Sequence, residues 1–348
     1  MNSKTYLAII FCFKVSQICA QDFPEGHFYF PAYEKGKYGY INSTGQWVIN
    51  PKFEWCYFFY EAIAGAKEKG KYGFINTKGE WIAKPIYDSV KHFSQGFAAV
   101  GRINEEGRMN WDYIDSAGIY LNLKVPALNQ VSSFQNGRSI AGEDGFLNFF
   151  FFNLKGESVF EAKDFYLDEN RIAEYSENLL HVYTGEGLST YIDTTGKIWS
   201  YGNFEFSGDF KNNRAVFQSN TKFGFINKTG QEIIAPEYDS AGNFSEGIAL
   251  VKLKMKFDPM LMRMTGGLVA YIDTAGKNIV PPLYSDGTAF SDGMAMVKYN
   301  GKCGFINTDG KVVIDFKYET GTNFFRGLAF VKNDNHWEYI NTKGKTVF

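Results

Sequence analysis

An excess of either charge is the first thing this 348-residue chain lacks: 36 Lys and Arg stand against 38 Asp and Glu, a formal net charge of −2. Tracking a phosphate backbone needs a concentrated basic face, so the balance argues against a nucleic-acid partner. Histidine is sparse. His27, His92, His181 and His336 lie far apart with no metal-ligand spacing, which implies no metal site. Only four cysteines occur, and two of them, Cys12 and Cys19, fall in the first 20 residues. Beyond those residues there is no apolar run of about 20, the length a helix needs to span a bilayer, so no membrane span is expected. Gly145, Gly185 and Gly187 do not open a helix and offer no dipole to a phosphate. The serines and cysteines lack the strand-to-helix elbow of a hydrolase. Carboxylate pairs for glycoside hydrolysis could form across the chain, but sequence does not locate them. The expectation is therefore a non-enzymatic protein without a cofactor.

What the chain does have is aromatic residues, 18% of the total, and one line of sequence written repeatedly. Its clearest copy is Gly70-Lys71-Tyr72-Gly73-Phe74-Ile75-Asn76-Thr77-Lys78-Gly79-Glu80-Trp81-Ile82, with close copies at 36–48, 221–233 and 301–313. Weaker copies run through 110–119, 188–198, 269–279 and 336–347. Tyr72, Phe74 and Asn76 alternate with Gly73 and Ile75, the period of two of a β-strand. Gly73 marks a close approach by a neighbouring backbone or ring, since glycine otherwise only weakens a strand. Asn76 to Gly79 reads as a type I turn, with the side chain of Asn76 accepting from the backbone and Gly79 taking the positive-φ place. Trp81 and Ile82 begin the returning strand, which Pro85 is expected to end because it cannot donate to a ladder. Phe93-Ser94-Gln95-Gly96 is then a turn into a third strand over Phe97–Val100.

The turn-opening residue falls at Asn42, Asn76, Asp115, Asn153, Asp193, Asn227, Asp273, Asn307 and Asn341, with spacings of 34, 39, 38, 40, 34, 46, 34 and 34. A base period of 34 with small insertions is the signature of a repeat array. Units beginning at Phe23, Phe59, Phe93, Phe134, Tyr175, Phe210, Phe244, Phe290 and Phe324 divide the chain into nine. The expected fold is all-β: a tandem array of about nine three-stranded antiparallel meanders, open or superhelical, with a closed propeller-like ring as the alternative. The repeated Asn and Asp are accounted for by their own turns. Calcium loops instead concentrate several acids in one loop.

Residues 1–20 read as a secretory signal. Lys4 precedes an apolar run over Leu7–Phe13, and Ile18-Cys19-Ala20 resembles a cleavage site ahead of Gln21. Ser16-Gln17-Ile18 lacks the small residue usual before a lipidated cysteine. Cleavage near Ala20 would leave one repeat domain over 21–348, secreted or in the periplasm or cell envelope, and the loss of Lys4 and Lys14 takes the charge to −4. Cys56 and Cys303 would remain. Cys303 takes the aromatic strand position of Tyr38, Tyr72 and Phe223, a core-filling place, and a disulfide between the two would require distant repeats to meet.

With Lys37-Tyr38-Gly39-Tyr40-Ile41-Asn42 and its counterparts at 71–76, 222–227 and 302–307, each with a trailing glycine, the chain resembles the bacterial WG-repeat family. The resemblance covers 23–348. Trp-Gly itself never occurs, and Tyr, Phe, Cys or a lone Trp stands in its place, as at Trp111 and Trp337. What the resemblance implies is a bacterial, often exported, all-β repeat protein that binds a partner and brings no catalytic residues.

Two stretches depart from the repeat. Residues 145–153 hold Phe149-Phe150-Phe151-Phe152 with no glycine in the expected place, which suggests a strand buried on both faces. The rival reading is an exposed platform for sugar rings, and this keeps glycan as the alternative partner and a carbohydrate-binding or carbohydrate-active protein as the alternative function. Between Val251 and Gly266 about twelve extra residues enter a turn, which accounts for the spacing of 46. Val251, Leu253, Met255 and Phe257 alternate with Lys252, Lys254 and Lys256, Asp258-Pro259 turns the chain, and Met260, Met262 and Met264 alternate on the way back past Arg263. The pattern is an extended β-hairpin with one apolar and one partly basic face. Either its apolar face packs on a neighbouring repeat, or Lys254, Met255, Phe257, Met260, Met262, Arg263 and Met264 form an adaptable surface for a protein partner. A smaller insertion at 101–110 enters the same kind of turn.

Overall fold

A computed structural model describes residues 28–121, 130–142, 148–163, 165–166, 175–199, 204, 206–258, 260, 263–334 and 336–348. Among the described residues there is no helix; thirty-two strands form nine sheets that follow one another along the chain. The segment 1–20 and the run Gly145 to Leu147 lie outside the described residues. Contacts divide the chain into two compact units, 1–174 with 194–196 and 175–193 with 197–348.

The expected meander is present. In the first unit Ile63–Glu68, Lys71–Asn76 and Trp81–Tyr87 pair antiparallel in sequence order, preceded by a two-residue strand, Trp55–Cys56, on the free side of Ile63–Glu68. This short strand is the continuation of the preceding sheet's last strand, Trp47–Phe53, past a bend at Glu54. One run of chain thus closes one sheet and opens the next. The second unit repeats the plan with Asp286–Gly287, Met294–Tyr299, Lys302–Asn307 and Val312–Tyr318.

Pro85 does not end its strand. Trp81–Tyr87 runs through it, and the register passes from Phe74↔Ala83 to Tyr72↔Tyr87, so that Lys84, Pro85 and Ile86 bulge opposite Gly73. Proline is tolerated there because the strand lies at a sheet edge and the bulge needs no ladder donor. The bulge also accounts for the glycine: a Cβ on Gly73 would sit 2.5 Å from the carbonyl oxygen of Ala83. Gly39, Gly224 and Gly304 meet Ile49, Ile234 and Ile314 in the same way at 2.4, 2.4 and 2.6 Å. The Asn76 turn forms as expected. Its Oδ1 accepts from the N–H groups of Lys78 and Glu80, both at 3.0 Å, and Gly79 has φ 78°.

Successive sheets are joined through aromatic pairs. In the first unit Tyr40 packs on Phe59 and Phe74 on Phe93, with ring centroids 4.6 and 4.9 Å apart. In the second, Phe225–Phe244, Tyr271–Phe290 and Phe305–Phe324 do the same at 4.8, 5.1 and 4.9 Å. All ten rings are buried. Burying each contributes about 1.5–3 kcal/mol, and each angled pair adds about 0.5–1.5 kcal/mol. Where the position is tyrosine its hydroxyl must find a partner. Tyr40 donates to the carbonyl of Tyr57 at 2.6 Å and Tyr271 to that of Thr288 at 2.8 Å. Phe149, Phe151 and Phe152 are buried and Phe150 is half-buried against the same core, so this run packs on both faces. Cys56 and Cys303 are buried free thiols, and Cys303 fills the core place expected of it.

Candidate functional site

A set of polar side chains recurring in the repeat holds one sheet to the next. In the first unit Glu61 accepts from the N–H of Gly96 at 2.7 Å, one turn onward, and Gln95 from that of Gly137 at 2.8 Å. In the second, Asn212, Glu246 and Asp292 accept from Gly247, Gly293 and Gly327 at 3.2, 3.0 and 2.8 Å. Ser245 donates its hydroxyl to the carbonyl of Phe290 at 2.8 Å. Burial pushes the Cys56 thiol up to about 12 and pushes the His92 imidazole down to about 4 with help from Lys91. Neither is poised for nucleophilic or acid–base work at neutral pH. Among the described residues no group of three His, Cys, Asp or Glu side chains converges on a metal-sized site.

One element is different. Ile248–Asp258 and Arg263–Asp273 form a hairpin of eleven-residue strands, paired from Ile248↔Asp273 out to Asp258↔Arg263. Ordinary repeats close this hairpin with two left-handed residues, as at Lys69 (φ 49°) and Gly70 (φ 78°). Here the equivalent pair has been split. Lys254 (φ 61°) and Gly267 (φ 86°) keep the left-handed conformation and face each other across the ladder, between Leu253↔Leu268 and Met255↔Gly266. Residues 255–266 are an insertion between the two halves of a turn.

Asp239 anchors the root. It occupies the bend after the preceding sheet's last strand, pairs with Lys222 and accepts from the N–H of Met255 at 2.9 Å. Glu54 does the same for Lys69 and Gly70 at 3.0 and 2.9 Å, and Asp88 for Ile103 at 3.0 Å. Burial acts to raise the Asp239 carboxyl, but the bonds from Lys222 and Met255 outweigh it and hold the group below the usual range. An acid following the strand-ending aromatic, as in Phe53-Glu54, Tyr87-Asp88 and Tyr238-Asp239, is a sequence signal for this anchor that repeat spacing alone did not bring out.

Burial changes along the hairpin. Val251 is in the core and Leu253 packs partly against it, whereas Phe257 is 57% exposed and Met260 is 92% exposed. Lys254 and Lys256 are exposed and Met255 is half-buried. Arg263 and Met264 stand at the register positions opposite Asp258 and Phe257, and Met262 lies outside the described residues. The root is core and the outer part is an arm. The smaller insertion lengthens the equivalent hairpin of its own sheet, Phe97–Ile103 with Met109–Asp115, and the Asn104 side chain closes its turn by accepting from Arg108 at 2.9 Å.

A model of the WG containing repeat matches residues 38–72, 72–101, 190–222, 223–256, 270–303 and 304–337, together more than half of the chain. The chain belongs to the WG-repeat family. No curated protein matches this WG-repeat protein. Solved structures similar to it in part include the following three. The computationally designed Ika8 protein has 13% identity and a TM-score of 0.41, over 84% of this chain and 96% of that one. BamB from Moraxella catarrhalis has 13% and 0.41, over 82% and 87%. Hsv2 from Kluyvelomyces marxianus has 9% and 0.42, over 72% and 90%. Among the described residues no helix is long and apolar enough to cross a membrane.

Proposed function

We propose that this WG-repeat protein is an exported, non-enzymatic bacterial module that binds or scaffolds protein partners, with the arm at 254–267 as its contact element. The observation that carries the reading is the exposure of Phe257 and Met260 on an element the repeat does not need. Elsewhere the distinctive side chains are engaged in turns, inter-sheet straps and aromatic pairs. Export rests on the leader-like residues 1–20 and predicts a mature amino terminus at Gln21. The aromatic run at Phe149–Phe152 packs in the core, which leaves the glycan alternative without the platform that motivated it.

The test compares residues 21–348 with a variant lacking 255–266, each carrying a photo-crosslinking side chain at an exposed position: Met260 in the full chain, Lys254 in the variant. With envelope extract, a discrete protein adduct should form on the full chain alone. Equal adducts on both proteins would remove the arm from the contact.

A further inference from the structure

The chain holds eight methionines. Of those whose side chains the structure describes, Met109, Met255, Met294 and Met296 are half-buried. Met294 and Met296 pack against the core that contains Phe305 and Phe324. Met109 lies over Gly101, its Sδ 2.6 Å from the place a Cβ would take, and Met255 lies over Gly267 with its Cγ at 2.5 Å. Met260 differs from all four: it is 92% exposed, on the one element that the repeat does not need.

Access to the oxidant governs how fast a thioether is oxidised, so exposure ranks these side chains and puts Met260 first. With a hydroperoxide, the sulfur lone pair attacks one oxygen; the S–O bond forms as the O–O bond breaks. The departing hydroxide takes the proton of the transferred hydroxyl and leaves as water. Sulfur gives up two electrons, the peroxide gains them, and the side chain becomes a sulfoxide. A thioether is at best a weak acceptor, whereas the sulfoxide is polar, and a polar group buried without a donor is unfavourable. Phe257, 57% exposed, lies close by on the same arm, and the N–H of Met260 is held by Asp258 Oδ1 at 2.9 Å. Oxidation therefore alters the polarity of this surface at a position that the backbone holds in place.

We propose that Met260 is an oxidation site that switches the arm: as a thioether it holds the protein partner, and as a sulfoxide it releases it. The proposal rests on the reading of the arm as the contact element and adds the chemistry that regulates it. The co-reactant is a hydroperoxide, and a methionine sulfoxide reductase returns the side chain to its binding form. Losing a buried thioether and gaining an unpaired polar group together weaken a contact by about tenfold or more.

The test places a photo-crosslinking side chain at the exposed Lys256 of residues 21–348, so that Met260 keeps its sulfur, and treats the protein with hydrogen peroxide before envelope extract is added. Peptide mapping should find Met260 oxidised about tenfold faster than Met109, Met294 or Met296. The yield of protein adduct should fall about tenfold in step with that peptide and return after reductase treatment. In Met260→Gln, which is polar and has no sulfur, the yield should be low before any peroxide is added. In Met260→Leu, peroxide should not lower the yield, whatever its starting value. Peroxide sensitivity kept in Met260→Leu would overturn the assignment to Met260. A parent yield unchanged once Met260 is oxidised, or a Met260→Gln yield equal to the parent's, would overturn the switch. Each of these results leaves the arm as the contact element. No adduct from the untreated parent would remove that element, and the switch with it.

Discussion

Gly73 and His92 show how far a single residue's role depends on what lies across from it. Gly73 is glycine because three bulged residues of the returning strand press against it, and alanine would put a methyl group onto a carbonyl oxygen. His92 packs at a tilt against Tyr60 with ring centroids 4.6 Å apart, and its Nε2 has no hydrogen-bond partner. Burial, with Lys91 beside it, depresses its folded pKa to about 4, below the ordinary value of 6.5. A depressed imidazole contributes stability that is present above pH 6.5 and is lost as the pH falls from there through 4, because the unfolded chain takes up the proton first. His92→Phe keeps a ring against Tyr60 and removes the titration. Compared with the parent in urea unfolding, it should lose less stability between pH 6.5 and 4, by on the order of 1–2 kcal/mol after allowing for partial exposure. Parallel curves for the two proteins would show that His92 is not a source of the acid sensitivity. Asp88, held low by Lys71 and by the N–H of Ile103, gives way only at lower pH still.

At the scale of the element, the arm is a hairpin inserted between the two residues of another hairpin's turn. Lys254 and Gly267 retain the conformations that Lys69 and Gly70 need to be adjacent. Removing 255–266 therefore joins a left-handed lysine directly to a left-handed glycine and rebuilds the ordinary turn. The shortened protein should fold and melt within a few degrees of the parent, since about 1 kcal/mol moves the midpoint of a large domain by about 2–4 °C. A much larger loss in calorimetry would show that the outer arm packs on the body of its unit. A deletion from 254 through 267 takes the turn residues as well, leaves Leu253 facing Leu268 with no chain to connect them, and should be much the worse of the two. The short strands Trp55–Cys56 and Asp286–Gly287 make a related point. They hand one strand to two sheets, and the residue at the bend ties down the next hairpin: Glu54 accepts from the N–H groups of Lys69 and Gly70, and Ser285 donates its hydroxyl to the carbonyl of Lys298 at 3.1 Å.

At the largest scale, sheets within each unit are coupled to their neighbours by a pair of rings, a turn strap and a shared strand, so each of these interfaces is local along the chain. Phe93→Ala should cost about 3–5 kcal/mol by emptying the place where Phe74 packs, and hydrogen exchange should report it in both adjoining sheets, over 71–76 and 97–103. Loss of protection in one sheet alone would mean that the ring serves its own sheet and not the interface. Much of this organisation was legible beforehand. The Asn76 turn, the glycine of close approach and the aromatic alternation recur at a fixed spacing, and what recurs in sequence must be satisfied locally in every copy. The bulge at Pro85 was not legible, because proline's lack of a donor ends a central strand but only bends an edge strand, and sequence does not say which strand is the edge. Nor were the straps from Glu61 to Gly96 or from Glu246 to Gly293, since an acid in an exposed turn looks like ordinary solvation until the next turn is placed against it.

The arm divides along the same line. Alternation of Leu253, Met255 and Phe257 with lysines determined that a hairpin forms, because period two leaves no other way to separate the two faces. Whether its apolar face was core or surface depended on what else in the fold reached it. That was decided only in three dimensions, where Val251 is buried and Met260, a few residues farther out, stands almost wholly in solvent.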